Sequence, residues 1–123
     1  MSLESAHAPP DTRFRLTVVC LCAQWCGTCR EYEAVFAQLR AEFTQVKFVW
    51  VDVEDESELV DPVEVEDFPT LLMARGAQPL FFGSVMPHLE TLRRLIQNQL
   101  EAEQPPGTQS ADVVALTVRL QAR

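Results

Sequence analysis

The stretch Val18-Val19-Cys20-Leu21-Cys22-Ala23-Gln24-Trp25-Cys26-Gly27-Thr28-Cys29-Arg30 holds an apolar, β-rich run, then Trp-Cys-Gly-Thr-Cys, then the start of a helical pattern. Between Phe14 and Ala23 the run places Val18, Cys20 and Cys22 on one side and Val19, Leu21 and Ala23 on the other. Both sides are apolar, as in a central strand buried on both faces. Over residues 26–43, Tyr32, Val35, Phe36, Leu39 and Phe43 recur at threes and fours, while Glu31, Glu33, Gln38, Arg40 and Glu42 cover the rest, which predicts an amphipathic helix. Two cysteines three apart at its first turn lie on one face, close enough to close a small-ring disulfide, and the first sees the unpaired N–H groups of the helix start. A helix start favours the thiolate, the reactive form of cysteine, so Cys26 and Cys29 are the candidate redox pair.

Working outward, Val46 to Val53 is again apolar and β-branched, so strand, helix, strand suggests a right-handed βαβ unit with parallel strands. Asp52 to Asp67 holds nine Asp or Glu and no basic residue, a solvated face that keeps the protein soluble. Pro69 precedes a short third strand, Thr70 to Met73. Arg75-Gly76-Ala77-Gln78 reads as a hairpin turn into Pro79 to Phe82, with Gly83 ending that strand. Leu89, Leu92, Leu95, Ile96 and Leu100 predict a second amphipathic helix over His88 to Leu100, with His88 as a helix-start residue. Gln104-Pro105-Pro106-Gly107 breaks it. In Ala111 to Arg123, Val114, Leu116, Val118 and Leu120 alternate with Val113, Ala115, Thr117 and Arg119, which favours strand over helix. The organisation expected is a flexible tail over 1–13, a domain over 14–103, and a linker plus C-terminal extension over 104–123.

A chain of 123 residues with 47% hydrophobic content suits one compact domain. Its net charge of −8, from 18 acidic and 10 basic residues, argues against nucleic acid or an anionic membrane as partner, since both demand a basic surface. No apolar run approaches the roughly 18 to 20 residues that span a bilayer, and residues 1–10 lack the pattern of a secretory signal. A cytoplasmic location is the expectation. Met1-Ser2-Leu3 also has the form of a cloning scar, which is compatible with a leader removed earlier. Four cysteines are too few for a disulfide-stapled secreted scaffold and point to redox or metal chemistry.

The order strand, Trp25-Cys26-Gly27-Thr28-Cys29, helix, strand, loop, Phe68-Pro69-Thr70, strand, hairpin, strand, Gly83, helix resembles the thioredoxin family over about residues 14–101. The resemblance implies an α/β three-layer sandwich, a mixed central sheet flanked by helices. It further implies thiol–disulfide exchange on protein disulfides, with Cys26 the exposed nucleophile and Cys29 the buried resolving thiol. In such a site Trp25 would wall the active surface. Phe68 would offer its backbone to a substrate strand, Pro69, expected cis, would pack against the disulfide, and Trp25, Phe68, Pro69 and Thr70 would together make up the substrate-binding surface. The implied partners are protein disulfides or dithiols and a redox partner that supplies electrons; no cofactor is implied.

The chain departs from this family in three places. Thr28 stands where relatives usually carry Pro, a position that tunes the redox potential. Cys20 and Trp50 occupy the positions of a buried acid and its lysine partner, so the acid that helps deprotonate the resolving thiol is missing. Asp52, two residues beyond Trp50 on the same strand face, is the nearest replacement by sequence. Full-length relatives also place a strand and a helix ahead of the central strand, so this fold reads as shortened at its N-terminus. The bare sheet edge would then be covered by Val113 to Leu120, in its own molecule or in a homodimer.

Two other readings compete. Cys20, Cys22, Cys26 and Cys29 supply enough thiolates for zinc or an iron–sulfur cluster. Against this, Cys20 and Cys22 fall inside a buried strand, where cysteine behaves as a small hydrophobe. The lost acid and lysine together with the acidic loop suit a binding or adaptor module with marginal redox turnover.

Overall fold

The computed structural model describes residues 15–61, 63, 65, 67–101 and 110–121. The expected tail, residues 1–13, and most of the expected linker lie outside the described residues. The elements are β1 (Leu16–Cys22), α1 (Gly27–Glu42), β2 (Val46–Asp52), α2 (Ser57–Val60), β3 (Thr70–Arg75), β4 (Gln78–Ser84), α3 (Leu89–Glu101) and α4 (Ala111–Gln121). The strands form one mixed sheet in the order β2-β1-β3-β4. β1 pairs parallel with β2, Leu16 opposite Val46, as expected for strands joined by a helix. It pairs antiparallel with β3, Leu21 opposite Thr70, and β3 returns antiparallel through β4. Gly76, with φ of 61°, occupies the hairpin turn in the left-handed region that glycine adopts without a side-chain clash.

Every residue of β1 is buried. Its alternation divides the core in two. Leu16, Val18, Cys20 and Cys22 join Leu71 and Met73 of β3 beneath α1 and α3, which contribute Tyr32, Phe36, Leu39, Leu92 and Ile96. Val19, Leu21, Val51 and Leu72 face the opposite way and meet Val60 of α2 and Val113, Leu116 and Leu120 of α4. The result is helices, sheet, helices. Arg93 of α3 ties the first layer together by pairing through two nitrogens with Glu42 at the end of α1, at 2.7 and 2.8 Å.

The C-terminal segment corrects the strand expectation. It is a helix, because its buried residues are Val113, Leu116, Thr117 and Leu120, at spacings of three and four, whereas Val114 and Val118 are exposed. Local signals agree: Ser110 Oγ accepts the N–H of Val113 at 3.2 Å, an N-cap bond, and the segment carries an acid in its first turn and a base in its last. Burial of a complete sheet face outweighs the β-branched content of the segment. Arg119 then anchors α4 by donating to the carbonyls of Leu59 and Asp61 at 2.8 and 3.1 Å. The segment therefore covers a sheet face of its own chain rather than the sheet edge. Beyond β2 no further strand lies among the described residues. The short α2 inside the acidic stretch was not anticipated; only Val60 among its residues is buried.

Tyr32 is fully buried under β1, and its hydroxyl has no hydrogen-bond partner among the described residues. Burial pushes its hydroxyl well above the usual tyrosine range, and the nearby Cys20 adds to the shift.

Two outcomes follow from this packing. Leu116→Ala should cost about 2–5 kcal/mol in chemical denaturation, whereas Val114→Asp should stay within about 0.5 kcal/mol; a strand would make both substitutions costly. Tyr32→Phe removes an unpaired buried hydroxyl and should raise stability by about 1 kcal/mol, read as a higher denaturation midpoint at unchanged slope.

Candidate active site

The site forms where β1 ends. The chain leaves the sheet at Cys22, turns through Ala23, Gln24 and Trp25, and enters α1 at its N-cap, Cys26. The turn is held by the Cys26 N–H donating to the Ala23 carbonyl at 3.1 Å and by Arg30 Nη1 donating to the Gln24 carbonyl at 2.8 Å. The Cys26 carbonyl accepts the Arg30 N–H, so the first turn of the helix starts on the cysteine itself. Cys26 is half-buried with a free thiol, while Cys29, one turn on, is 1% exposed.

The sulfur of Cys29 is bonded to Cys22, with Cα atoms 5.8 Å apart. The disulfide in this structure therefore joins the last residue of β1 to the first turn of α1, and it is not the Cys26–Cys29 bond that the motif suggests. The reason lies in the two periodicities. Even-numbered residues of β1 point toward α1, and the helical register turns Cys29 with Tyr32, Phe36 and Leu39 toward the sheet, so both sulfurs enter the same core. Cys20, two residues back on that face, lies with its sulfur 3.7 Å from that of Cys22. Burial raises the Cys20 thiol far above its ordinary range, so it stays protonated. It cannot replace a buried carboxylate as a proton acceptor.

Trp25 and Phe68 arrive from different loops and meet edge to face, with ring centroids 5.6 Å apart. Trp25 is 62% exposed, and its indole N–H donates to Glu54 Oε2 at 2.8 Å. The sequence reading missed Glu54, which it left within a uniformly solvated acidic run. The Phe68–Pro69 peptide bond is cis, and Pro69 is buried. Because Leu21 stands opposite Thr70 in the β1–β3 register, this bond lies level with the exit of β1. The Thr70 hydroxyl is turned inward and donates to the Asp67 carbonyl at 2.6 Å, which commits it to shaping the loop.

Asp52 has a different task from the one its position suggested. Its carboxylate accepts the N–H groups of Gln24, Glu54 and Asp55 at 2.9 to 3.0 Å, joining the two loops that carry Trp25 and Glu54. These bonds, that from Asp55 foremost, hold its carboxyl below the usual range, the opposite of what a proton acceptor needs. A surface pocket of about 280 Å³ reaches Cys29 from the side of β2, lined by Ala23, Gln24, Cys29, Arg30, Glu33 and Trp50. Glu33 is the carboxylate it contains, one turn beyond Cys29 on α1. Trp50, in the position of the missing lysine, packs against Phe36 with centroids 5.5 Å apart. Among the described residues, no group of three or more His, Cys, Asp or Glu is arranged to hold a metal ion.

Comparison with known proteins places this arrangement. The family model for thioredoxin matches residues 12–98. Thioredoxin H2-1 of rice is 39% identical over 64 residues, covering 52% of this chain and 46% of that protein. Rabbit thioredoxin is 33% identical over 85 residues, covering 67% of this chain and 81% of that protein. The chain thus spans about half the length of some curated relatives it matches and most of the length of others. Among solved structures, thioredoxin from Fasciola hepatica superposes with a TM-score of 0.65 at 29% identity, covering 78% of this chain and 89% of that one. Thioredoxin from Trypanosoma brucei brucei gives 0.64 at 28% identity, with 82% and 88% covered. With a family match that takes in every element from β1 to most of α3, the chain belongs to the thioredoxin family.

Proposed function

We propose that the chain is a thiol–disulfide oxidoreductase of the protein-disulfide reductase type. Cys26 attacks a substrate disulfide, and Cys29 resolves the mixed disulfide that results. The observation that carries this reading is the contrast between the two sulfurs. Cys26 is a free, half-buried thiol at a helix N-cap beside Trp25, whereas Cys29 is buried one turn behind it.

The chemistry proceeds in two exchanges. The Cys26 thiolate attacks one sulfur of the substrate disulfide, a Cys26–substrate bond forms, and the other substrate sulfur leaves as a thiolate. Cys29, reduced in the working form, then attacks the Cys26 sulfur and releases the second substrate thiol. Deprotonation of Cys29 needs an acceptor. Glu33, across the pocket, is better suited to take that proton through solvent than Asp52, whose oxygens are already engaged. Trp25 and Phe68 provide an apolar wall for the peptide flanking the disulfide. α4 packs on a sheet face of its own chain.

Insulin reduction by the dithiothreitol-reduced protein tests the assignment: Cys26→Ser should abolish turnover, and Cys29→Ser should accumulate a covalent adduct on Cys26. Turnover surviving in Cys26→Ser would contradict it. For the proton acceptor, Glu33→Gln should lengthen the lifetime of the mixed disulfide, whereas Asp52→Asn should leave it unchanged and lower the melting temperature instead. The Asp52 contribution to stability is present above the ordinary carboxyl value of about 3.9 and is lost as pH falls through its lower folded-state value. Asp52→Asn should therefore lose stability at neutral pH and flatten the acid limb of a melting-temperature profile.

A further inference from the structure

We propose that Cys22 is a second partner for Cys29, drawing the disulfide formed at the active site inward and returning Cys26 to the free thiol. This rests on the assignment of Cys26 and Cys29 as the reactive pair.

Three observations support it. The Cys22 and Cys29 sulfurs are already bonded across the β1–α1 junction while Cys26, at the N-cap of the same helix, is free. Cys29 is thus the common member of two possible pairs, reached from outside by Cys26 at a spacing of three and from inside by Cys22. β1 is a regular strand through Cys22, and α1 is a regular helix through Cys29 with Cys26 as its N-cap. The inner bond also lies among Cys20, Tyr32 and Phe36, each at most 2% exposed, and the pocket lined by Cys29, Glu33 and Trp50 is its approach from the surface.

The step balances without an added oxidant. After turnover the bond is Cys26–Cys29, its oxidation having come from the substrate disulfide. The Cys22 sulfur attacks the Cys29 sulfur, the Cys22–Cys29 bond forms, the Cys26–Cys29 bond breaks, and the proton of the Cys22 thiol passes to the departing Cys26 sulfur. One disulfide is exchanged for another, with no net change in oxidation state. In the resulting form Cys26 can still attack a disulfide, but Cys29 is no longer free to resolve it. The protein then holds its substrate as a lasting mixed disulfide until a reductant opens the inner bond, so Cys22 switches the site from turnover to capture.

The test uses the full-length protein, oxidised with diamide and equilibrated. Free thiols are alkylated under acid denaturation, the protein is reduced, and the remaining thiols take a second label. Arg15 and Arg30 bound a single tryptic peptide holding all four cysteines, so fragment ions assign each label. The proposal predicts the first label on Cys20 and Cys26 and the second on Cys22 and Cys29 in the majority of molecules. It also predicts that iodoacetamide modifies Cys26 of the native oxidised protein within about threefold of the reduced rate, and that Cys22→Ala slows this by about a hundredfold or more by leaving Cys26 in the outer bond. A majority carrying the second label on Cys26 and Cys29, or on any other pair, overturns the proposal, and the wild-type mapping stands whether or not the variant folds. Insulin turnover by the reduced protein is read separately. Its absence would defeat the functional assignment, whereas turnover with the wrong pairing would defeat only the inner exchange.

Discussion

The burial of β1 on both faces is the constraint from which the rest of this protein follows. A seven-residue strand with no exposed side chain must be covered from both sides. The even-numbered face is covered by α1 and α3, the odd-numbered face by α2 and α4. That arrangement carries Cys20 and Cys22 toward α1 and ends the strand at the turn that delivers Cys26 to the helix start. The sulfur chemistry is thus a consequence of a packing requirement: the face that buries Tyr32 and Phe36 also aligns three cysteines, Cys20, Cys22 and Cys29, in one buried layer.

The active surface is assembled from loops that the acidic stretch holds in place. Asp52 binds backbone N–H groups on both sides of the gap between the β1–α1 turn and the loop after β2, and Glu54 fixes the indole of Trp25. Loop carboxylates that would otherwise serve only solubility therefore position the wall beside Cys26. The buried acid and lysine that relatives place behind the resolving cysteine are replaced here by a protonated thiol, Cys20, and an aromatic ring, Trp50, opposite each other in the sheet. Such a pair fills space but moves no proton, and the acceptor proposed above, Glu33, lines the surface pocket that reaches Cys29.

Most of the fold was legible because strand and helix periods are strong over β1, α1 and α3, and because Gly76 and Pro69 mark a turn and a strand start. The C-terminal segment misled because Val113, Val114, Leu116, Val118 and Leu120 satisfy both periods. What separates them is the polar Thr117, which at helical spacing is buried, bonding back to the Val113 carbonyl at 2.8 Å. The Ser110 cap was the available signal. At the site, the Trp-Cys-Gly-Thr-Cys motif nominates Trp25, Cys26 and Cys29, and the family resemblance nominates Phe68. The bond from Cys29 to Cys22 could not, because it depends on the rotation of α1 against β1, which no local pattern encodes. The work of Asp52 and Glu54 was hidden for a similar reason: hydrogen bonds to a loop some thirty residues away leave no trace in a run of like charges.

The account turns on Cys26 being the atom that first bonds to substrate. Rapid mixing of the reduced wild-type protein with a disulfide-bridged peptide, acid quenching, and mass spectrometry of the transient adduct measures this directly. The account predicts that the earliest covalent species carries the peptide on Cys26 and decays as substrate thiol appears. An earliest adduct on Cys29, Cys22 or Cys20, or release of substrate thiol with no adduct on Cys26, would contradict it.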